Sequence, residues 1–454
     1  MSKSLVNKYN VAGPRYTSYP TVPYWDENTF SLDNWKMSVK KSFDESNTID
    51  GLSLYIHLPF CESLCTFCGC HKRITKRHEV ESPYITALLK EWDLYCELFV
   101  DKPVIKEIHL GGGTPTFFEP QNLKLLIDGI LAKSDLAKDY EFSFEGHPNN
   151  TTVEHLQTFY DLGFRRVSFG VQDYNITVQK AINRIQPFEN VERVTKQSRE
   201  IGYTSISHDI IFGLPFQTEE HVIETIAKTK ALLPDRIAFY SYAHVPWIKG
   251  TGQRGYDESN LPTPEIKRKQ YEHGKLELAK AGYHEIGMDH FGLKSDSLYE
   301  AMETGKLHRN FMGYTASKTQ LMIGLGVSSI GDSWYGFGQN IKDIKTYYKA
   351  LDEDCIPVYR GHILNDEDLK IRQHILNIMC KFKTSWGEDD FFFTTLGGVL
   401  PKLEEFKTDG LIEVEDGVLL VTEKGRPFVR NVCMAFDVLL QAKKPNTQLF
   451  SMTI

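Results

Sequence analysis

The sequence carries no surplus of positive charge. Its 454 residues hold 52 lysines and arginines against 60 aspartates and glutamates, a formal net charge of −8. Gripping a nucleic-acid backbone needs a basic face, so that class of partner is excluded. An anionic ligand must be held by local cations, against the overall field. Long apolar runs are missing too. The best candidate, residues 321–341, is broken by Asp332 and five glycines, which reads as a buried core segment and not a membrane span. The opening MSKSLVNKYN has no apolar stretch of secretory type. Internal repeats and low-complexity tracts are absent, and no apolar stripe is left over for a second copy. These absences lead to the expectation of a cytoplasmic monomer with no membrane and no nucleic-acid partner.

Cysteine is scarce, and half of it is in one place. Of eight cysteines, Cys61, Cys65, Cys68 and Cys70 fall within HLPFCESLCTFCGCHKR, residues 57–73, while Cys96, Cys355, Cys380 and Cys433 are scattered. In a reducing compartment such clustering points to metal or redox chemistry more than to disulfides. Four-sulfur zinc sites use two C-x2-C pairs, and the second pair is missing here. A C-x3-C-x2-C loop can instead wrap three corners of an iron–sulfur cube and leave one iron open to a small molecule. Cys68 and Cys70 are so close in sequence that only a tight turn would aim both at one cluster, so Cys70 is expected to face away. His57 and His71 flank the loop as packed or solvated rings, with a hydrogen bond to a cluster sulfide as the sharper alternative.

From about residue 50 to 310 short apolar strands alternate with amphipathic helices. LSLYIHLPF, IKEIHLGGG, YEFSFEGHP, RRVSFGVQ, SISHDIIFGLP and RIAFYSYA read as strands. The segments between them, such as SPYITALLKEWDLYCELF and EEHVIETIAKTKALL, read as helices. About six such units predict an α/β fold, a partial (β/α) TIM-like barrel, whose chemistry gathers at the C-terminal strand ends. The cysteines, Gly111 to Thr114, Glu145, Gln172, Asp209 and Ala243 all fall there. The predicted organisation is an N-terminal arm over the active site (1–35), the barrel (36–310), a connecting segment (311–360) and a C-terminal, mostly helical, winged-helix-like domain with a β-hairpin (361–454). Within the arm, YNVAGPRYTSYPTVPYW breaks any period with prolines and glycines and is rich in tyrosine, as suits a tail packed on another surface or a lid.

The open-corner cysteine motif, with Phe67 just before its third cysteine and EIHLGGGTPT following at a later strand end, resembles the radical S-adenosylmethionine (SAM) superfamily. Glycines at that strand end allow a ligand to approach the backbone closely. Within it, the segments KYNVAGPRYTSYPT, YIHLPFCESLCTFCGC, LGFRRVSFGVQDYN, DIIFGLPFQT, YAHVPW, IGMDHF, LHRNFMGYT, GLGVSSI and TEKGRPFVRNVCMAFD resemble, in order, the oxygen-independent coproporphyrinogen III oxidases. That resemblance implies a 4Fe–4S cluster, two SAM molecules at one site, a low-potential electron donor protein, and coproporphyrinogen III as substrate. Two of its propionates would be oxidatively decarboxylated to vinyls by a 5′-deoxyadenosyl radical, giving protoporphyrinogen IX in haem biosynthesis.

Carried over by resemblance, Cys61, Cys65 and Cys68 hold the cluster, and Tyr55, His57 and Glu145 are the catalytic candidates. Tyr55, Gly112, Glu145 and Ile330 contact the first SAM. Phe67, Gly113, Thr114, Gln172, Arg184, Asp209 and Ala243 contact the second. The four carboxylates of the substrate need nearby cations; Arg15 in the arm and Arg309 are the candidates, with Tyr16 and Tyr19 stacking on or covering the flat ring. One departure is His147: where relatives read E-V-D-P, this chain reads Glu145-Gly146-His147-Pro148. The competing reading is a haem chaperone of the same superfamily, which usually lacks the fourth cysteine and the GPRYTSYP arm.

Overall fold

The computed structural model describes residues 3–453 apart from 27, 29, 249–251, 254, 388–393 and 444–447. One sheet of twelve strands organises the chain. Its strands, in chain order, are β1 (Leu52–Leu58), β2 (Val104–Gly112), β3 (Asp135–Gly146), β4 (Arg166–Gln172), β5 (Ser205–Phe212), β6 (Arg236–Ser241), β7 (His284–Ile286), β8 (His290–Gly292), β9 (Leu321–Leu325), β10 (Ile330–Asp332), β11 (Gly336–Asn340) and β12 (Val358–Ile363). The spatial order is β12-β11-β10-β9-β1-β2-β3-β4-β5-β6-β8-β7.

Strands β1 to β6 pair in parallel and in sequence order. Helices Glu81–Cys96, Pro120–Ala132, Val153–Asp161, Phe188–Ile201 and Glu219–Ala231 connect successive strands. One face of these strands packs under the helices: Leu54, Ile56, Leu58, Ile108, Leu110, Phe142, Phe144 and Val167 are all fully buried. Thr152 and Thr218 each begin a helix with a capping box, which sets where the chain turns back after β3 and β5.

A seventh parallel strand comes from outside the six repeats. The wholly buried β9 runs parallel to the free edge of β1, pairing Tyr55 with Gly324. Residues 321–363, read as mostly connector, thus supply four strands of the main sheet. Antiparallel strands extend both flanks, and β12 does not pair with β7, so the barrel is partial, in line with the expected fold class. Among the described residues no helix is long and apolar enough to cross a membrane.

The C-terminal part packs helices Asp366–Lys381, Thr394–Thr408 and Val429–Phe436 against a three-stranded antiparallel sheet, Lys383–Ser385, Ile412–Glu415 and Val418–Val421. Its hairpin turns through Asp416 and Gly417, both at positive φ (47° and 73°), the pairing a two-residue D-G turn requires. The N-terminal arm is fastened to this domain. Helix Lys3–Tyr9 brings Tyr9 against Phe406 and Phe428, Ala12 bridges Met452, and the buried Arg430 guanidinium donates to the carbonyls of Gly13 and Pro14. The strap ends by placing Arg15 at the mouth of the barrel, where its Nη2 donates to the Ser241 carbonyl at the end of β6 (2.5 Å).

Candidate active site

The loop after β1 carries the cysteines and is pinned at both ends. Arg73–Ile74 returns beside Phe60–Cys61 as a short parallel pair, with the Thr75 amide donating to the Cys61 carbonyl (2.9 Å). On its far side the Thr66 amide donates to the Ile182 carbonyl (2.9 Å), and Asn183 Nδ2 to the Leu64 carbonyl (2.8 Å). The three thiols converge. Cys61 Sγ lies 3.4 Å from Thr114 Oγ1, and burial, reinforced by the charges of Cys68 and Cys65, pushes its thiol up to about 11. Cys65 Sγ receives the Arg184 guanidinium at 3.8 Å. Cys70, expected to face away, is exposed, and the interaction of its thiol with that of Cys68 pulls Cys68 down and pushes Cys70 up.

Among the described residues no three Cys, His, Asp or Glu side chains close on a single metal ion. Three half-buried thiols around a wider space suit a larger, multi-iron group, and the cleft that they share with Phe67, Gly113 and Arg184 has a volume of about 660 Å³. Within it Arg184 keeps a buried Nε without a partner, a donor left for a ligand.

The glycine run makes room at the next strand end. A Cβ on Gly113 would lie 2.6 Å from the backbone carbonyl of Pro59, and Gly112 has φ +109° with the His57 ring where its Cβ would be. Glu145 ends β3 with its carboxylate facing the same space, 45% of the side chain being accessible. Burial acts to raise it, but His109 (Nε2 at 3.6 Å) and the Gly112 amide (3.3 Å) hold it below the usual carboxylate range. Glu145 is thus an anion in the site. On β5, Asp209 accepts from Ser168 Oγ (2.7 Å), yet burial, helped by the Glu145 charge, pushes it up to about 7. Gln172 leaves β4 through a bulge at φ +66°, which turns its side chain back toward Gly170 and Arg184.

Tyr55 and His57 on β1 form a fixed pair. His57 Nε2 faces the His71 carbonyl (2.9 Å), so that nitrogen carries the proton and Nδ1 accepts from the Tyr55 hydroxyl (3.0 Å). Burial pushes His57 down to about 4, so the ring is neutral. With both nitrogens engaged it has no donor to spare for a sulfide. His147 is a neutral ring as well, held down to about 2 by burial and by the nearby Arg184 charge. Arg184 Nη2 donates to the Gly170 carbonyl (2.6 Å), which leaves Nε as its idle donor. Ile330 reaches the site through its backbone, which covers Gly324 beside Tyr55.

One residue that sequence reasoning missed ties the far wall together. Gln253, 2% exposed, donates through Nε2 to the carbonyls of both Phe67 (2.8 Å) and Ala243 (3.1 Å), and accepts the Val245 amide through Oε1 (2.6 Å). It lies in an irregular stretch with no periodic signal.

The four substrate candidates separate into two pairs. Tyr16 and Tyr19 are core residues, 2% and 1% exposed, in the apolar cluster of the C-terminal domain, and the Tyr16 hydroxyl donates to Asp437 (3.1 Å). They fasten the arm and do not face an open cavity, which corrects the expectation that they stack on a ligand ring. Arg15 and Arg309 do meet at the barrel mouth. Arg309 Nη2 donates to the Arg15 carbonyl (3.3 Å) and its guanidinium lies 4.4 Å over the Tyr314 ring, while its buried Nε and Nη1 have no partner. Asp289 is within electrostatic reach of both arginines, and through His290 (Nδ1 to Oδ1 2.7 Å) it approaches Tyr240 on β6, whose hydroxyl is 3.4 Å from His290 Nε2.

Comparison with known proteins agrees with this geometry. A profile of the radical SAM superfamily matches residues 55–229. The oxygen-independent coproporphyrinogen III oxidase of Helicobacter pylori (strain J99) is 41% identical over 441 residues, 96% of each chain. That of Escherichia coli (strain K12) is 36% identical over 456 residues, 99% of this chain and 98% of the relative. The solved structure of coproporphyrinogen III oxidase from Escherichia coli, described as a radical SAM enzyme, superposes with a TM-score of 0.88 at 34% identity, covering 96% of this chain and 98% of that one. The haem-chaperone alternative gains nothing from these relatives. The chain belongs to the oxygen-independent coproporphyrinogen III oxidases of the radical SAM superfamily.

Proposed function

We propose that this protein oxidatively decarboxylates two propionate side chains of coproporphyrinogen III to vinyls, giving protoporphyrinogen IX. The observation that carries the reading is one juxtaposition. A three-cysteine loop and a pair of arginines, one of them buried with two unpartnered donors, both serve the C-terminal side of the same parallel sheet.

Cys61, Cys65 and Cys68 would hold a 4Fe–4S cluster, and two SAM molecules would share the cleft beside it. Bound there, cluster and SAM supply a carbon-centred radical able to take a hydrogen atom from an unactivated carbon. Each propionate then loses a β-hydrogen atom, carbon dioxide and one electron, which leaves a vinyl group. The chain's own residues position these reactants. Ionised Glu145 and the glycine-run amides near Tyr55 and Ile330 suit the amino-acid end of one SAM. Arg184 can pair with the carboxylate of the other. Asp209 and Gln172 offer acceptors for ribose hydroxyls, and the Phe67, Thr114 and Ala243 wall, held by Gln253, closes the far side. Arg15 and Arg309 would hold substrate carboxylates, since two charges at about 4 Å gain roughly 4 kcal/mol at an effective dielectric of about 20.

We further propose a cytoplasmic, monomeric enzyme supplied by a low-potential electron donor protein. All eight cysteines are free, which suits a reducing compartment. The test is anaerobic incubation of reconstituted protein with coproporphyrinogen III, SAM and dithionite. Vinyl product together with 5′-deoxyadenosine is expected. Tight haem binding with no turnover would overturn the reading.

A further inference from the structure

The segment that returns from the cysteine loop is basic. Residues 71–78 read HKRITKRH, with Lys72, Arg73, Lys76 and Arg77 and no acidic residue. Arg73, Lys76 and Arg77 are exposed. Among the described residues none of these three forms an ion pair with a carboxylate. Asp343, on which Arg73 is a minor influence, is engaged in capping the helix Ile344–Asp352 through Thr346. Two further exposed lysines, Lys342 and Lys345, flank that cap, and the His71 ring bonds the Lys342 backbone, which joins the two segments into one face. Exposed Glu62 and Glu79 stand at its rim.

This cationic face occurs on a protein whose net charge is −8. At its centre is Ile74, 44% exposed, in direct register with the cluster ligand Cys61. An apolar spot ringed by one sign of charge is the pattern of a protein-docking surface, where charge steers encounter and the apolar contact holds it. A single hydrogen-bonded strand pair separates that surface from Cys61.

We propose that this face docks an acidic one-electron carrier protein, resting on the reading that Cys61, Cys65 and Cys68 hold the cluster. The reduced carrier is oxidised by one electron, and the group held by the cysteine loop is reduced by one; no proton or group moves with it. Charge complementarity selects the occupant. The overall negative field would repel an acidic carrier elsewhere on the molecule, while this face attracts it.

The test uses reconstituted full-length protein and an acidic flavodoxin as the probe. Flavodoxin binding is read by flavin fluorescence at low and high salt, alongside turnover driven by reduced flavodoxin and, separately, by dithionite. The variant Arg73→Glu/Lys76→Glu/Arg77→Glu is expected to weaken flavodoxin binding at least tenfold and to flatten its salt dependence, with iron content and dithionite-driven turnover unchanged. Should the charge reversal lower iron content, Arg73→Gln/Lys76→Gln/Arg77→Gln decides the matter, with a smaller shift of the same sign. Parent-like flavodoxin binding and salt dependence in a variant that retains its iron would overturn the proposal. If parent protein fails to turn over with dithionite, the proposed function fails instead, and the binding measurement still reads the docking face.

Discussion

Arg309 offers a perturbation whose two consequences run in opposite directions. It is 5% exposed, and its Nε and Nη1 donors have no partner. Each unpaired buried donor costs the folded protein about 1–3 kcal/mol. Against this stand one hydrogen bond from Nη2 to the Arg15 carbonyl and the stacking of the guanidinium on Tyr314. The first contributes about 1.5–3 kcal/mol for a charged donor, the second about 0.5–2 kcal/mol. The two sides nearly cancel, so Arg309→Met, similar in length and free of donors, is expected to leave the melting temperature of the substrate-free protein unchanged or slightly raised. Substrate carboxylates would satisfy both idle donors, one oxygen each, because Nε and Nη1 point to different sides of the guanidinium. Losing two charge-assisted bonds at about 1.5 kcal/mol each predicts a substrate affinity lower by about a hundredfold, since about 1.4 kcal/mol corresponds to a factor of ten. Arg309→Lys should recover only part, because one ammonium cannot place donors in both directions. The assays are thermal unfolding without ligand and an anaerobic titration of coproporphyrinogen III. A melting temperature lowered by several degrees, together with parent-like substrate affinity, would show that Arg309 is a structural ion and would refute the reasoning.

Two further predictions concern the SAM cleft. Asp209 is pushed up to about 7 from an ordinary 3.8, so it is neutral below that pH and ionised above it; SAM affinity should rise as pH increases through about 7, and Asp209→Asn should remove the dependence, as calorimetric titration across that range would reveal. The same raised value gives a stability contribution that is complete below the unfolded value near 3.8 and is lost as pH rises through about 7, so the stability–pH slope should flatten in the same variant. Gln253→Ala strands the Phe67 and Ala243 carbonyls and the Val245 amide; with about 1 kcal/mol per lost bond, hydrogen exchange of the cysteine loop should speed up by roughly tenfold or more, and protection equal to the parent would count against its bracing role.

Much of the barrel is legible in the chain. The alternation of short apolar strands with amphipathic segments is a local property, and β1 to β6 follow it because each strand buries an apolar face. The D-G hairpin is equally local: a turn that needs two positive φ angles selects those residues. The cysteine spacing and the glycine run announced a site because close approach to a ligand restricts which residues fit. What local pattern misled about was the role of the tyrosines. Tyr16 and Tyr19 have the composition of a lid, but their surroundings come from helices more than 300 residues away in sequence, as the 421-residue separation of Tyr16 from Asp437 shows.

The sequence by itself determined the parallel α/β architecture, the cysteine loop and the strand ends at which chemistry gathers. Tertiary structure alone decided that β9 completes the sheet beside β1, that Arg15 meets Arg309, and that Gln253 joins Phe67 to Ala243. The reason is physical. Periodicity and turn chemistry act over a few residues and are written locally, whereas burial, idle donors and cation clusters exist only once distant segments share one space.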